Sequence, residues 1–114
     1  MINKTLSIGS NQTMATIATI DQFPNNYYVL SKEIKVKIPN TTNSVTFTFS
    51  IIDKDGDVRY SKDSITPNSV TIISSREEER YITNGYKISI LPSGATGTDI
   101  DVIVKINAVH MLEG

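Results

Sequence analysis

VTFTFSIIDKDGDVRY, residues 45–60, carries two opposite readings on the same residues. As a ligand site, Asp53-Lys54-Asp55-Gly56-Asp57 opens like a calcium loop. As structure, it is a tight turn between two alternating strands. An EF-hand-type loop needs oxygen ligands at positions 1, 3, 5 and 12, with Gly at position 6 for the sharp turn. Asp53, Asp55 and Asp57 fill the first three. Position 6 is Val58, whose β-branched side chain resists positive φ, and position 12 is Ser64, which has no carboxylate. Asp63 sits one residue early, and both flanks alternate as strands do. Asp55-Gly56 instead fits a type I′ hairpin turn, which needs φ > 0 at both central residues. The segment reads as the tip of a two-stranded arm, with Asp53, Asp55 and Asp57 the one metal candidate, as weak ligands of a cation.

Period-2 alternation extends outward from this arm in both directions. Upstream, Ile34, Val36 and Ile38 alternate with Glu33, Lys35 and Lys37, and Pro39-Asn40 ends the run. Within the arm, Val45, Phe47, Phe49 and Ile51 alternate with Thr46, Thr48 and Ser50. Downstream, Val70 and Ile72 mark a short strand, and Tyr86, Ile88 and Ile90 another. The last strand sets Ile100, Val102, Val104, Ile106 and Ala108 on one face, with Asp101, Lys105 and Asn107 on the other; Ile103 breaks that polar face and suits a contact with a neighbour. Leu6 and Ile8 suggest a first strand, and residues 14–20, MATIATI, a second strand or a helical turn. The expectation is an all-β, antiparallel β-sandwich of seven or eight strands in one domain over residues 1–114, with jelly-roll and immunoglobulin-like orders both open. Ser75-Arg76-Glu77-Glu78 fits a capping box, so at most one short helical turn is expected near residues 76–82. Residues 1–8 are expected as an extended N-terminal arm and residues 110–114 as a flexible tail. The first and last strands and the strand at Ile34 are candidates for edge pairing.

Composition narrows the function classes. Lys+Arg of 11 against Asp+Glu of 12 gives a net charge of −1, which argues against nucleic-acid binding through a basic surface. Zero Cys removes disulfides, thiolate nucleophiles and Cys-ligated metals together. The opening MINKTLSIGSNQT has no signal-peptide run, and no stretch nears the roughly 20 apolar residues of a membrane span. Synthesis in the cytoplasm without export, and no membrane partner, are therefore expected.

No other stretch carries chemistry. PSGATG, residues 92–97, lacks the Lys-Ser/Thr pair and the following helix of a phosphate loop, and reads as a flexible turn. His110 is the only histidine and lies near the C-terminus, where a general base has no rigid partner. Carboxylate pairs for glycoside hydrolysis lack sugar-stacking support, with no Trp and five Tyr. Tyr27-Tyr28 is the one aromatic cluster, expected on a loop. Arg76-Glu77-Glu78-Glu79-Arg80 reads as a solvated connection or a salt-bridging subunit contact. No catalytic residue and no cofactor are assigned.

The order I-I-D-K-D-G-D-V-R-Y, then R-Y-I-T-N-G-Y-K-I-S-I-L-P-S-G-A-T-G-T-D-I-D-V-I-V-K-I, resembles the small β-sandwich structural proteins of tailed bacteriophages, covering residues 44–109. Capsid decoration proteins and other head- or tail-associated virion proteins are the nearest in kind. The resemblance transfers no functional residue. It implies a non-enzymatic virion protein that binds other virion proteins, above all the major capsid protein, and self-associates as a trimer or ring. A tail or neck position, or a carbohydrate- or cell-surface-binding module, is the alternative.

Overall fold

The alternating runs form nine strands in a computed structural model that describes residues 2–20, 27–74, 81–82 and 85–112. They are β1 (Ile2–Ile8), β2 (Thr16–Thr19), β3 (Tyr27–Ile38), β4 (Phe47–Ile52), β5 (Val58–Ile65), β6 (Ser69–Ser74), β7 (Tyr81–Ile82), β8 (Lys87–Pro92) and β9 (Ile100–Leu112). Every pairing is antiparallel. Sheet A runs β1-β9-β3-β6, with β7 also on β3, and sheet B runs β2-β8-β4-β5. β9 covers one edge of β3, so β6 and β7 share the other, β6 against residues 33–38 and β7 against residues 29–30. Counted together as one interrupted strand, they leave eight. The orders then become 1-8-3-6 and 2-7-4-5, those of a jelly roll, and the immunoglobulin-like alternative falls away.

The core lies between the sheets. Sheet A contributes Leu6 and Ile8, Ile34, Val36 and Ile38, Ile73, and Val102, Val104 and Ile106; sheet B answers with Phe47, Phe49 and Ile51, Ile65, and Ile88 and Ile90. All are buried, as period-2 strands with one wet face require. Phe47 and Phe49 are the largest of them. Truncating either to Ala should cost about 3–5 kcal/mol through lost transfer energy and the cavity left behind.

Register, which alternation alone does not fix, corrects several expectations. Ile34↔Ile73 and Lys35↔Ile72 pair across β3 and β6, so Ile73 enters the core while Val70 and Ile72 stay 54% and 57% exposed. In β5, Tyr60 packs against the core; strict alternation would then turn Ile65 outward. A bulge intervenes, with the register shifting between Phe47↔Ile65 and Phe49↔Lys62. Ser64 has φ 59 there, and Ile65 is buried.

Residues 2–8 are not an arm: they pair with β9 from Ile2↔Ile106 to Ile8↔Ile100, and Leu6 and Ile8 are buried. Residues 110–112 are not a tail, since β9 continues through Leu112 against Tyr27. Tyr27-Tyr28 opens β3 instead of lying on a loop. The last strand and the Ile34 strand are interior, because the jelly-roll path inserts β9 between β1 and β3; the edges are β1, β6 with β7, β2 and β5. Of the span expected to hold a helical turn, residues 81–82 are strand, and residues 76–80 lie outside the described residues.

Candidate functional site

The Asp53–Asp57 hairpin is where the sequence offered its one metal candidate. Gly56 N–H donates to the Asp53 carbonyl (3.1 Å), Asp53 N–H donates to the Asp57 carbonyl (2.9 Å), and Gly56 has φ 88. Neither Lys54 nor Asp55 has positive φ, so the turn is type I followed by a glycine bulge, not the type I′ expected. The three-residue loop places the left-handed requirement on Gly56 alone. Asp53 Oδ1 accepts from the N–H groups of Asp55 and Asp57, both at 2.9 Å, while Oδ2 lies 3.9 Å from Arg59 Nη1. At 9% exposure, Asp53 is a turn brace directed into its own backbone. Asp55, Asp57 and Val58 are exposed, and among the described residues no group of three His, Cys, Asp or Glu is placed to hold a metal.

PSGATG is a turn, as expected, but a tied one. Asn43 N–H donates to the Thr96 carbonyl, Asn43 Nδ2 to the Ala95 carbonyl and Gly97 N–H to the Ser10 carbonyl, at 2.9–3.0 Å. Thr96 is fully buried and donates its hydroxyl to the Thr98 carbonyl at 2.7 Å. These bonds hold the end of the sandwich and use the Gly97 N–H and the Thr96 hydroxyl within the fold. His110 stands opposite Val29 in the β3–β9 pairing, within a strand. Residues 76–80, the REEER segment, lie outside the described residues.

The surface with the most distinctive chemistry is the outer face of sheet A. Lys35 pairs directly with Lys105 across β3 and β9, and Lys37 with Ile103. On the other side of β3, Ile72 pairs with Lys35 and Val70 with Lys37. Alternation places all six outward, because their neighbours Ile34, Val36, Ile73, Val102, Val104 and Ile106 fill the core. Lys35, Lys37, Val70, Ile103 and Lys105 line a depression of about 220 Å³. Glu33 Oε1 is 3.7 Å from Lys35 Nζ, both side chains about half exposed, a pair worth little in water. Among the described residues, Lys37 and Lys105 have no acidic partner. Like charges directly opposite destabilise a sheet, so the Lys35–Lys105 pair carries a small cost in the isolated chain.

Ile103 stands out in the sequence because it interrupts a polar face. The lysines around it belong to separate polar faces in the sequence, since Lys35 and Lys37 lie some 70 positions before Lys105 and only the register joins them. The outer face of sheet B differs: Ser50 and Ser61 bring their hydroxyls within 3.3 Å, and Ile17 and Leu91 stand exposed nearby. No helix among the described residues is long and apolar enough to cross a membrane.

Comparison with family models, with curated protein sequences and with solved structures finds no match to this chain.

Proposed function

We propose that this protein is a non-enzymatic virion component of the tailed-phage kind, a head decoration protein that binds the major capsid protein through an outer sheet face. The observation that carries the reading is the outer face of sheet A, where apolar Val70, Ile72 and Ile103 sit exposed or half-buried among three lysines on a rigid sheet. Exposed apolar side chains rimmed by charge suit a protein contact. The depression of about 220 Å³ on this face falls below the roughly 300–1,000 Å³ of small-molecule pockets, and the larger one of about 510 Å³, lined by Ser44, Val45, Thr46, Thr66, Pro67 and Ser93, has no charged residue in its lining. The jelly-roll order is in keeping with capsid-associated proteins, but lectins use it too, so the fold supports the reading only by analogy.

The test is addition of purified protein to empty, expanded phage heads, followed by sedimentation and copy counting. Saturable binding in many copies per head is expected, with loss on Lys37→Glu/Lys105→Glu. Binding to tails or necks, with none to heads, would move the protein to the alternative position. The carbohydrate-binding alternative draws on the lectin use of the fold. Retention in a polysaccharide affinity gel, with no binding to any virion part, would replace the first reading by that one.

A further inference from the structure

We propose that the depression on the outer face of sheet A receives residues 55–58 of a second copy of this chain, giving a head-to-tail contact. The reasoning begins with size. A space of about 220 Å³ suits a partner's side chain better than a free small molecule. Its walls then specify that side chain: Val70 and Ile103 ask for an apolar group, while Lys35, Lys37 and Lys105 ask for carboxylates around it.

The hairpin tip supplies this combination. Asp55 and Asp57 are exposed and, among the described residues, their carboxylates are in no ion pair or hydrogen bond; Val58 follows directly and is 59% exposed. The other described acids fit less well. Asp53 braces its own turn, Asp99 accepts from Ser10 N–H, Asp101 accepts from the Ser7 hydroxyl, and Glu33 already faces Lys35. Asp63 has no exposed apolar neighbour in sequence, since Ile65 is buried. The tip is also held at a fixed angle by the Asp53 brace, so little order has to be created on docking.

Donor and acceptor surfaces lie on different sheets, the depression on A and the tip on B. The tip therefore cannot fill the depression of its own chain. Using one surface to bind the next copy leaves the other free, the arrangement that closes into rings or runs on as filaments. One tip in one depression is a small contact, so each is weak alone, and closure of a ring adds the rest. This contact goes beyond the virion reading and uses the same face, so the tip variant Asp55→Lys/Asp57→Lys separates the two: it should lose self-association and keep head binding.

Light scattering on the purified full chain tests it, over protein concentrations up to about 1 mM in low salt. Wild type is expected above monomer mass, and dissociation should follow in about 1 M NaCl, where screening acts over roughly 3 Å. Asp55→Lys/Asp57→Lys and Lys37→Glu/Lys105→Glu should each weaken association by about tenfold or more. Mixing the two variants should restore it, because reversed tip then meets reversed face. All four positions are exposed, and an unchanged melting temperature confirms that the variants fold. Wild type monomeric throughout, single variants that keep their mass, or a mixture that stays monomeric would each overturn the contact. Monomeric wild type that still binds heads would sink the self-contact and leave the virion reading standing.

Discussion

The tied end of the sandwich and the β4–β5 hairpin solve the same problem, closing chain connections, by opposite means. At one end the β1–β2, β3–β4, β5–β6 and β8–β9 connections are tied to one another. Gly97 N–H donates to the Ser10 carbonyl, Asn43 N–H to the Thr96 carbonyl, Ser93 N–H to the Thr46 carbonyl and Asn68 N–H to the Pro39 carbonyl. At the other end, where Ile20 exchanges backbone bonds with Gly85 and Tyr86, the β4–β5 hairpin satisfies itself, with Asp53 bonding to Asp55, Gly56 and Asp57. The first end couples segments up to about ninety residues apart. The hairpin couples five consecutive residues and leaves the Asp55 and Asp57 carboxylates without a partner among the described residues. A turn closed from within is the one that can offer its side chains to another molecule.

The comparison can be broken with glycines. Gly97 and Gly56 both have positive φ, 79 and 88, so alanine at either meets the same left-handed penalty. Their surroundings differ. A Cβ at Gly97 would lie 3.0 Å from Asn43 Cγ and from Thr42 Cβ, whereas one at Gly56 meets nothing within 4 Å. Gly97→Ala should therefore cost about 3 kcal/mol, the sum of backbone strain and displaced neighbours, read by urea unfolding. A cost no greater than that of Gly56→Ala would show that the tied end yields easily, and the contrast between ends would collapse.

Asp53→Ala comes next. It removes the acceptor of two backbone N–H groups and should cost about 1–2 kcal/mol, with most of it recovered in Asp53→Asn, which keeps an oxygen acceptor. Equal losses in both variants would mean that the carboxylate charge matters more than the turn bonds. Gly56→Ala should cost about 1 kcal/mol from its φ alone, lowering the melting temperature by about 4–8 °C.

Much of this fold was legible because period-2 patterning depends only on neighbours in sequence. The strands at Ile34, Phe47, Ile88 and Val102, and their buried faces, follow from it directly. What escaped depends on partners far along the chain. Ile73, not Val70 or Ile72, is the core residue of β6 because of its register with β3. Ile65 turns inward because of a bulge at Ser64, for which serine gives no warning. The interior place of β9 is a matter of topology, and with it the arm and tail expectations fell. The hairpin was legible but its turn type was not, since Asp-Gly fits both a two-residue type I′ loop and a three-residue loop with a glycine bulge. The candidate face shows the same limit: Ile103 was visible alone, the three lysines only through pairing.

The smallest expected effect sharpens the comparison most at the hairpin end. If residues 53–57 are a self-satisfied turn, calcium has little to gain there, because Asp53 Oδ1 already accepts two N–H bonds. Binding would require that oxygen to give up both donors and would draw Asp55 and Asp57 inward from solvent. A ligand that binds only the folded state at a hundred times its Kd stabilises by about 2.7 kcal/mol, many degrees for a domain of this size. Calcium at 1 mM should instead leave the melting temperature within about 1 °C, in wild type and in Asp55→Asn/Asp57→Asn alike. A rise of several degrees in wild type, lost in the double variant, would turn the tip from a protein-facing surface into a metal-organised one. The head-to-tail contact would then have to be measured again with the ion present, since a bound cation would cancel the charge that draws the tip to Lys35, Lys37 and Lys105.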